Sequence, residues 1–384
     1  MMDWESISTI IFLLILGILV VLDRKNIEFK YGVAIRRIKK GKEWIYAVGD
    51  RYKTFFKYFG TIAVVIGIIS SLVAFYFIFL QAYIILTNPQ ASTPGLRPIL
   101  PSIPSKTFCT YALCVPFWFW IIGVLVVLVS HEMSHALVAR SANIRIKSFG
   151  LISVVVLPGA FVEPDENQIK KSNSFTKLKI YAAGSFANLL VFAIASLATT
   201  AMFSYFYLPN GVQFISTVQN SPAYKLNFTG GIIKQIDSTR LSSVQDFENA
   251  MTKIKPGENI TIVTTTGNYT LTTANSPTDS SKAFIGISGA STYFSVKNAY
   301  GIFAGTIDWI FQLFAWLVFL NFGIGLVNLL PIKPLDGGLI YEEIIKIIFK
   351  KPKPQYVKAL SIFTFLLIII NLVGPYLPQI IAAL

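Results

Sequence analysis

The sequence predicts a polytopic α-helical membrane protein of about six transmembrane helices, with a re-entrant β-hairpin and one inserted soluble α+β domain. Three observations carry that reading. Mean hydropathy is +0.61, with 54% hydrophobic and 14% charged residues, whereas an ordinary soluble domain has about a quarter of its residues charged. Apolar stretches lie near residues 6–22, 59–86, 113–139, 178–208, 301–332 and 359–384, and a bilayer is crossed by about 20 such residues. Between the fourth and fifth stretches, roughly 210–297, alternating residues punctuated by Gly and Pro replace the continuous apolar pattern.

The first stretch reads as a retained helix. Asp3 and Glu5 stand where a secretory signal would carry lysines, and no small-residue cleavage site follows. Residues 23–58 form a basic lobe with short strands expected at 27–38 and 43–48, separated by Gly41. The connection 88–105 holds five prolines and cannot stay helical, so it is a linker or a cap. Cys109 and Cys114 are the only cysteines; a disulfide and two free thiols are both open, and two residues are too few for a zinc cluster.

The net charge of +14 does not point to nucleic acid, because of where the charge lies. Eleven Lys/Arg fall within 23–58, seven within 140–179 and six within 333–358, whereas 87–112 holds only Arg97 and Lys106. Short basic loops stay in the cytoplasm. Six spans with both termini outside satisfy every loop, and the cell membrane is the expected location. Clusters such as Arg36, Arg37, Lys39 and Lys40 suit anionic headgroups of the lipid bilayer.

The third span carries the chemistry. His131 and His135, the only histidines, stand four apart with Glu132 between them in His131-Glu132-Met133-Ser134-His135. One helical turn puts both imidazoles on one face, where they can share a cation, with Glu132 beside them for proton transfer. Ionisable groups are costly in a membrane, so the motif reads as a metallohydrolase site rather than as two incidental histidines. Residues 149–162 are apolar and β-branched but too short to span, and Pro158-Gly159 signals a turn. They read as a hairpin dipping toward the membrane beside the histidine helix, with an edge that could pair with an extended peptide.

The inserted segment shows strand patterns at 260–264 and 269–273 and a helix pattern at 244–254. Its three N-x-[ST] sequons, at Asn227, Asn259 and Asn268, are the only ones in the chain. Their confinement to a segment that charge counting puts outside agrees with that assignment.

A catalytic zinc site takes about three protein ligands and keeps one position for water. The candidates for the third are Glu163, Asp308 and Asp336. Asp336 lies between two prolines and two glycines in the stretch 328–338, and taken alone it would be read as the cap of the next helix. Taken with the histidine pair, it is the preferred ligand.

At this point the chain resembles the site-2 protease family of intramembrane zinc metalloproteases. The family's signatures are HExxH in one transmembrane helix and NxxPxxxLDG in a later one. They occur here as His131 to His135 and as Asn328, Pro331 and Leu335-Asp336-Gly337. The resemblance implies that His131, His135 and Asp336 bind one zinc ion. It also implies that Glu132 is the general base and that Asn328 donates to the developing oxyanion. A third element, GPxxN, appears as Gly184-Ser185-Phe186-Ala187-Asn188 with serine in place of proline. Asn188 is read first as a helix–helix contact and second as a participant in the site.

The insert resembles a PDZ domain at Ser221-Pro222-Ala223, at the helix around Asp246 to Met251, and at Lys255-Pro256-Gly257-Glu258. Gly230-Gly231-Ile232-Ile233 departs from the usual pattern there, so peptide binding and size filtering are both open to it. The division expected is an extension at 1–112, core segments at 113–208 and 298–384, and the insert at 209–297. The implied function is regulated intramembrane proteolysis of single-span membrane proteins, with zinc as cofactor, membrane substrates as partners and no nucleic acid. The alternatives are a metallopeptidase that cuts at the membrane surface, a metal transporter or an inactive scaffold. The first needs a Glu or His soon after His135, and the second needs ionisable groups spread over several spans; the sequence offers neither.

Overall fold

The structure, a computed structural model, describes residues 4–30, 33–38, 42–88, 95–102, 109, 112–154, 157–228 and 230–377. Six helices among them are long and apolar enough to cross a membrane. The chain divides into two compact units, residues 1–198 with 312–384, and residues 199–311.

In the first unit, helix α1 (Trp4–Leu22) buries no residue within the protein. Helices α2 (Lys42–Arg51) and α3 (Lys53–Thr87) follow. The strand expected at 43–48 is therefore helical. Its apolar positions answer the helical period: Ile45 and Gly49, four apart, are the buried pair. Ile45 joins Ala136, Leu137 and Ile146 in one core cluster, and Arg140 lies against Gly49 while its guanidinium forms two hydrogen bonds to Asp50. That contact holds the Asp50 carboxyl below the usual carboxylate range.

Helix α3 buries Gly60, Ala63, Gly67, Ser71, Ala74, Ile78, Ala82 and Ile85, a stripe repeating every three or four residues. Small residues at that period let apolar helices approach closely where lipid gives no hydrophobic drive. Strands β1 (Ile27–Lys30) and β2 (Val33–Ile38) continue into a four-stranded sheet with β5 (Ile146–Val154) and β6 (Leu157–Pro164), in the order β1-β2-β5-β6. The short strands β3 (Ile99–Pro101) and β4 (Leu113–Val115) pair in parallel. Cys109 and Cys114 form a disulfide.

The hairpin turns earlier than expected. Pro158 pairs with Ser153 and Gly159 with Ile152, inside the ladder, and Val154 pairs with Leu157. Proline is tolerated in β6 because it is an edge strand of the sheet.

Helices α4 (Phe117–Ser141), α5 (Glu166–Lys171) and α6 (Ser174–Phe206) follow the numbering of the chain. The second unit takes in the end of α6 and the start of α9 (Ala304–Asn328). Its main sheet runs in the order 268–272, 259–264, 233–236, 207–213, 291–296. The short helices α7 (Pro222–Lys225) and α8 (Val244–Met251) accompany it. Helix α8 stops short of the expected 254 as the chain approaches Pro256, before which helical backbone is disfavoured. Ser243 and Asp246 close its start as a capping box, and backbone N–H groups of Ser242 and Ser243 hold the Asp246 carboxyl low. Phe228, Ile233, Ile236, Ile260 and Ile262 are fully buried in its core.

Helices α10 (Asp336–Phe349) and α11 (Pro354–Val373) complete the first unit. Lys177 of α6 and Glu343 of α10 form a buried ion pair at 3.0 Å. Burial opposes the charge on Glu343, but hydrogen bonds from Ser174 and Lys177 outweigh it and hold its carboxyl low. Removing Lys177 leaves buried Glu343 with only Lys346, 3.5 Å away, against its charge among the described residues, at a cost of up to about 3–5 kcal/mol. Lys177→Met should lower the unfolding midpoint in detergent, whereas Lys177→Met with Glu343→Leu should recover most of the loss. A double variant no more stable than the single one would contradict this account of the pair.

Candidate metal centre

Helix α4 carries His131 buried, with His135 and Glu132 half-buried. The two rings stand 4.7 Å apart between centroids at 79°, as the i, i+4 spacing requires. His135 Nδ1 lies 2.6 Å from the carbonyl oxygen of Ile180 on α6. A carbonyl only accepts, so Nδ1 carries a proton, and Nε2 is the nitrogen turned toward Asp336, where a metal would be held.

Asp336 is brought to the rings by the turn between α9 and α10. Its Oδ2 lies 3.1 Å from His131 Nε2 and 3.3 Å from His135 Nε2. The capping role is excluded, because Leu335 is the N-cap and no side chain caps the helix; Asp336 is its first residue and faces the histidines. A Cβ on Gly337 or Gly338 would strike the backbone of residues 329–333, so both glycines after Asp336 are needed for the close return of the chain. Ser71 Oγ of α3 donates to Leu329 O at 2.6 Å and fixes the start of that turn.

One donor atom each from His131, His135 and Asp336 lies within 4.8 Å of the others, and no other such group occurs among the described residues. The other two candidates are engaged elsewhere. Glu163 accepts from Ser148 Oγ at 2.6 Å, and Asp308 accepts from Tyr207 Oη at 2.8 Å in the second unit. The set fits a divalent zinc ion by donor chemistry: two imidazole nitrogens and a carboxylate. It fits also by space. A Cβ on Gly184 would collide with His135 Nε2 and stand 2.7 Å from His131 Nε2.

Glu132 accepts from Val162 N–H of β6 at 2.8 Å, which ties the hairpin to the histidine helix. Asn328 is the last residue of α9 and is half-buried; its amide makes no hydrogen bond among the described residues. Asn188 is fully buried, 3.2 Å from His131 Nδ1. Ser185 Oγ lies 3.3 Å from Asp336 Oδ2. Sequence reasoning gave no role to Ser185, Ser130 or Ile180; a polar residue one position from Gly184 was the available signal for the first.

The model of Peptidase family M50 matches residues 119–372, from the histidine helix to the last span. The chain belongs to this family. As a member of Peptidase family M50 it is a membrane metalloprotease of the site-2 protease kind. It is similar to an uncharacterized protein of Methanocaldococcus jannaschii, 28% identical over 94% of this chain and 91% of that one. It is also similar to a membrane-bound transcription factor site-2 protease homolog of Arabidopsis thaliana, 24% identical over 38% of this chain and 28% of that one. Among solved structures, the PDZ domain of an SdrC-like protein from Listeria monocytogenes is 20% identical, covers 24% of this chain and 92% of its own, and has a TM-score of 0.18.

Gly184→Ala should push the two rings apart and lower zinc affinity by at least about tenfold, the scale seen when groups around a bound metal are disturbed. Equilibrium dialysis against zinc measures this. Unchanged binding in a folded variant would mean that Gly184 does not set the spacing of the rings.

Proposed function

We propose that this protein is an intramembrane zinc metalloprotease that hydrolyses peptide bonds within or near the transmembrane helices of single-span proteins, as a step of regulated intramembrane proteolysis. The observation that carries the reading is the convergence of His131, His135 and Asp336, donor atoms within 4.8 Å, from helices almost two hundred residues apart in sequence.

His131, His135 and Asp336 would hold one zinc ion per chain, which would supply Lewis acidity toward a water, lowering its pKa to about 7. Glu132 takes the proton of the attacking water and returns it to the leaving amine nitrogen. Val162 N–H already fixes one of its oxygens, so the carboxylate is aimed before substrate arrives. Asn328, whose amide is otherwise unengaged among the described residues, donates to the carbonyl oxygen as negative charge develops on it.

Peptide bonds in a helix are hidden in their own hydrogen bonds, so the substrate segment must extend. Strand β6 is an edge of its sheet and touches Glu132 through Val162. An extended segment added to that edge would lie beside the base. The same argument makes the hairpin re-entrant: it belongs at the depth of His131, with its edge shielded by protein rather than lipid. Substrates whose spans contain weak helix formers should be preferred. Trimming outside by another protease would precede a cut near the cytoplasmic side that releases a soluble fragment.

The distribution of basic residues supports a chain with both termini and the inserted domain outside the cell membrane and the basic loops in the cytoplasm. The Cys109–Cys114 disulfide supports the same side for that loop, since disulfides persist in oxidising compartments. The inserted domain, PDZ-like in its motifs, would hold a peptide terminus or filter substrates by size.

The purified protein is reconstituted with a marginally stable transmembrane helix. Wild type should cleave it, and a chelator should stop cleavage. Glu132→Gln should retain zinc and lose at least about 100-fold in rate, the scale of a general base. Cleavage that persists in the chelated sample and in the variant would overturn the reading.

A further inference from the structure

Each of the three residues read as ligands meets a polar group of one helix, the two histidines at the nitrogen away from Asp336 and Asp336 at the oxygen that faces them. On α6, Ile180 O accepts from His135 Nδ1, Ser185 Oγ donates to Asp336 Oδ2, and the Asn188 amide meets His131 Nδ1. Ile180, Gly184 and Asn188 are four apart, so they line the same face, with Gly184 opposite the rings. Ser185 stands where the family's motif has proline, which has no hydroxyl to give.

The contact to His131 differs in kind from the contact to His135. A carbonyl fixes a tautomer outright, but an amide has an accepting end and a donating end. With Nδ2 toward the ring, His131 accepts at Nδ1 and carries its proton on Nε2, which lies 3.1 Å from Asp336 Oδ2. That tautomer satisfies a metal-free site, and it cannot ligate through Nε2. A half-turn of the amide puts Oδ1 on His131 Nδ1–H and Nδ2 on Ser130 Oγ, which lies 2.9 Å away on the other side. Ser130 Oγ can accept there, because its own proton goes to Val127 O at 3.1 Å. Both orientations use the same heavy-atom contacts, and the amide is fully buried, where an unmet polar group is costly.

We propose that Asn188, backed by Ser130, is a two-position positioning residue that sets the tautomer of His131: one orientation of its amide stabilises the metal-free site and the other the zinc-loaded site. Ser185 holds Asp336 in the same way through its hydroxyl, with a single orientation. The inference rests on the reading of His131, His135 and Asp336 as zinc ligands, and the experiment separates the two.

Because the chain has only two histidines, protein labelled with 15N at histidine gives a spectrum of two rings. Wild type, Asn188→Leu, Asn188→Asp and Ser130→Ala, stripped of metal in detergent, are each titrated with zinc against a competing chelator. Their ring tautomers are read before and after, with thermal melting as the check of folding. Wild type should bind zinc, with His131 in the Nε2–H form before and the Nδ1–H form after.

Asn188→Leu should bind about 10- to 100-fold more weakly, as when a contact behind a ligand is lost. Ser130→Ala should fall between the two. Asn188→Asp can only accept, so it should keep wild-type affinity or better and show the Nδ1–H form of His131 even without metal. A folded Asn188→Leu that binds like wild type would overturn the inference. If Asn188→Leu does not fold, Asn188→Asp decides: a metal-free tautomer identical to that of wild type would overturn it. Wild type that binds no zinc would overturn the zinc reading itself, and this inference with it.

Discussion

Everything in the candidate site depends on how closely α4 and α6 approach at Gly184. There the backbone of α6 lies against the two histidine rings with no space for a side chain. Two imidazoles and a carboxylate are expensive among apolar helices, and each must have a partner for every polar atom it buries. The close approach supplies those partners. It brings Ile180 O, Ser185 Oγ and Asn188 within hydrogen-bond reach, and it leaves both Nε2 atoms against Asp336 Oδ2.

The third residue of the set arrives by a different device. Asp336 is delivered by a chain reversal after α9, and that reversal is tight because Gly337 and Gly338 pass against the backbone of residues 329–333. Ser71 of α3 pins Leu329, and the Lys177–Glu343 pair joins α10 back to α6. Helix α3 thus supports the site although it carries none of its chemistry. The basic lobe does likewise: β1 and β2 extend the hairpin sheet whose far edge touches Glu132.

The parts of this arrangement legible in the sequence are those with a strong local signal. Six apolar stretches gave six long helices, and an i, i+4 histidine pair gave two rings on one face. Asp336 could be named only together with the histidine pair and the second family motif, since its own surroundings read equally as a helix cap. What local pattern missed was decided by tertiary contacts. Residues 43–48 have the composition of a strand, yet Ile45 and Gly49 are buried as a helical pair against α4. Pro158-Gly159 has the composition of a turn, yet an edge strand accommodates it, with Pro158 opposite Ser153 and Gly159 opposite Ile152. Ser130 carried no signal and Ser185 only its place beside Gly184, since a lone serine in an apolar helix is as often bonded to its own backbone as to a distant carboxylate.

The central claim is that one zinc ion binds to His131, His135 and Asp336. X-ray absorption at the zinc edge of the purified protein tests it most directly. The account gives one zinc per chain, with two imidazole nitrogens and light oxygen donors at about 2.0–2.2 Å and no sulfur, and a signal that disappears in Asp336→Ala. Protein that retains no zinc, or a zinc shell that is unchanged by Asp336→Ala, would contradict it.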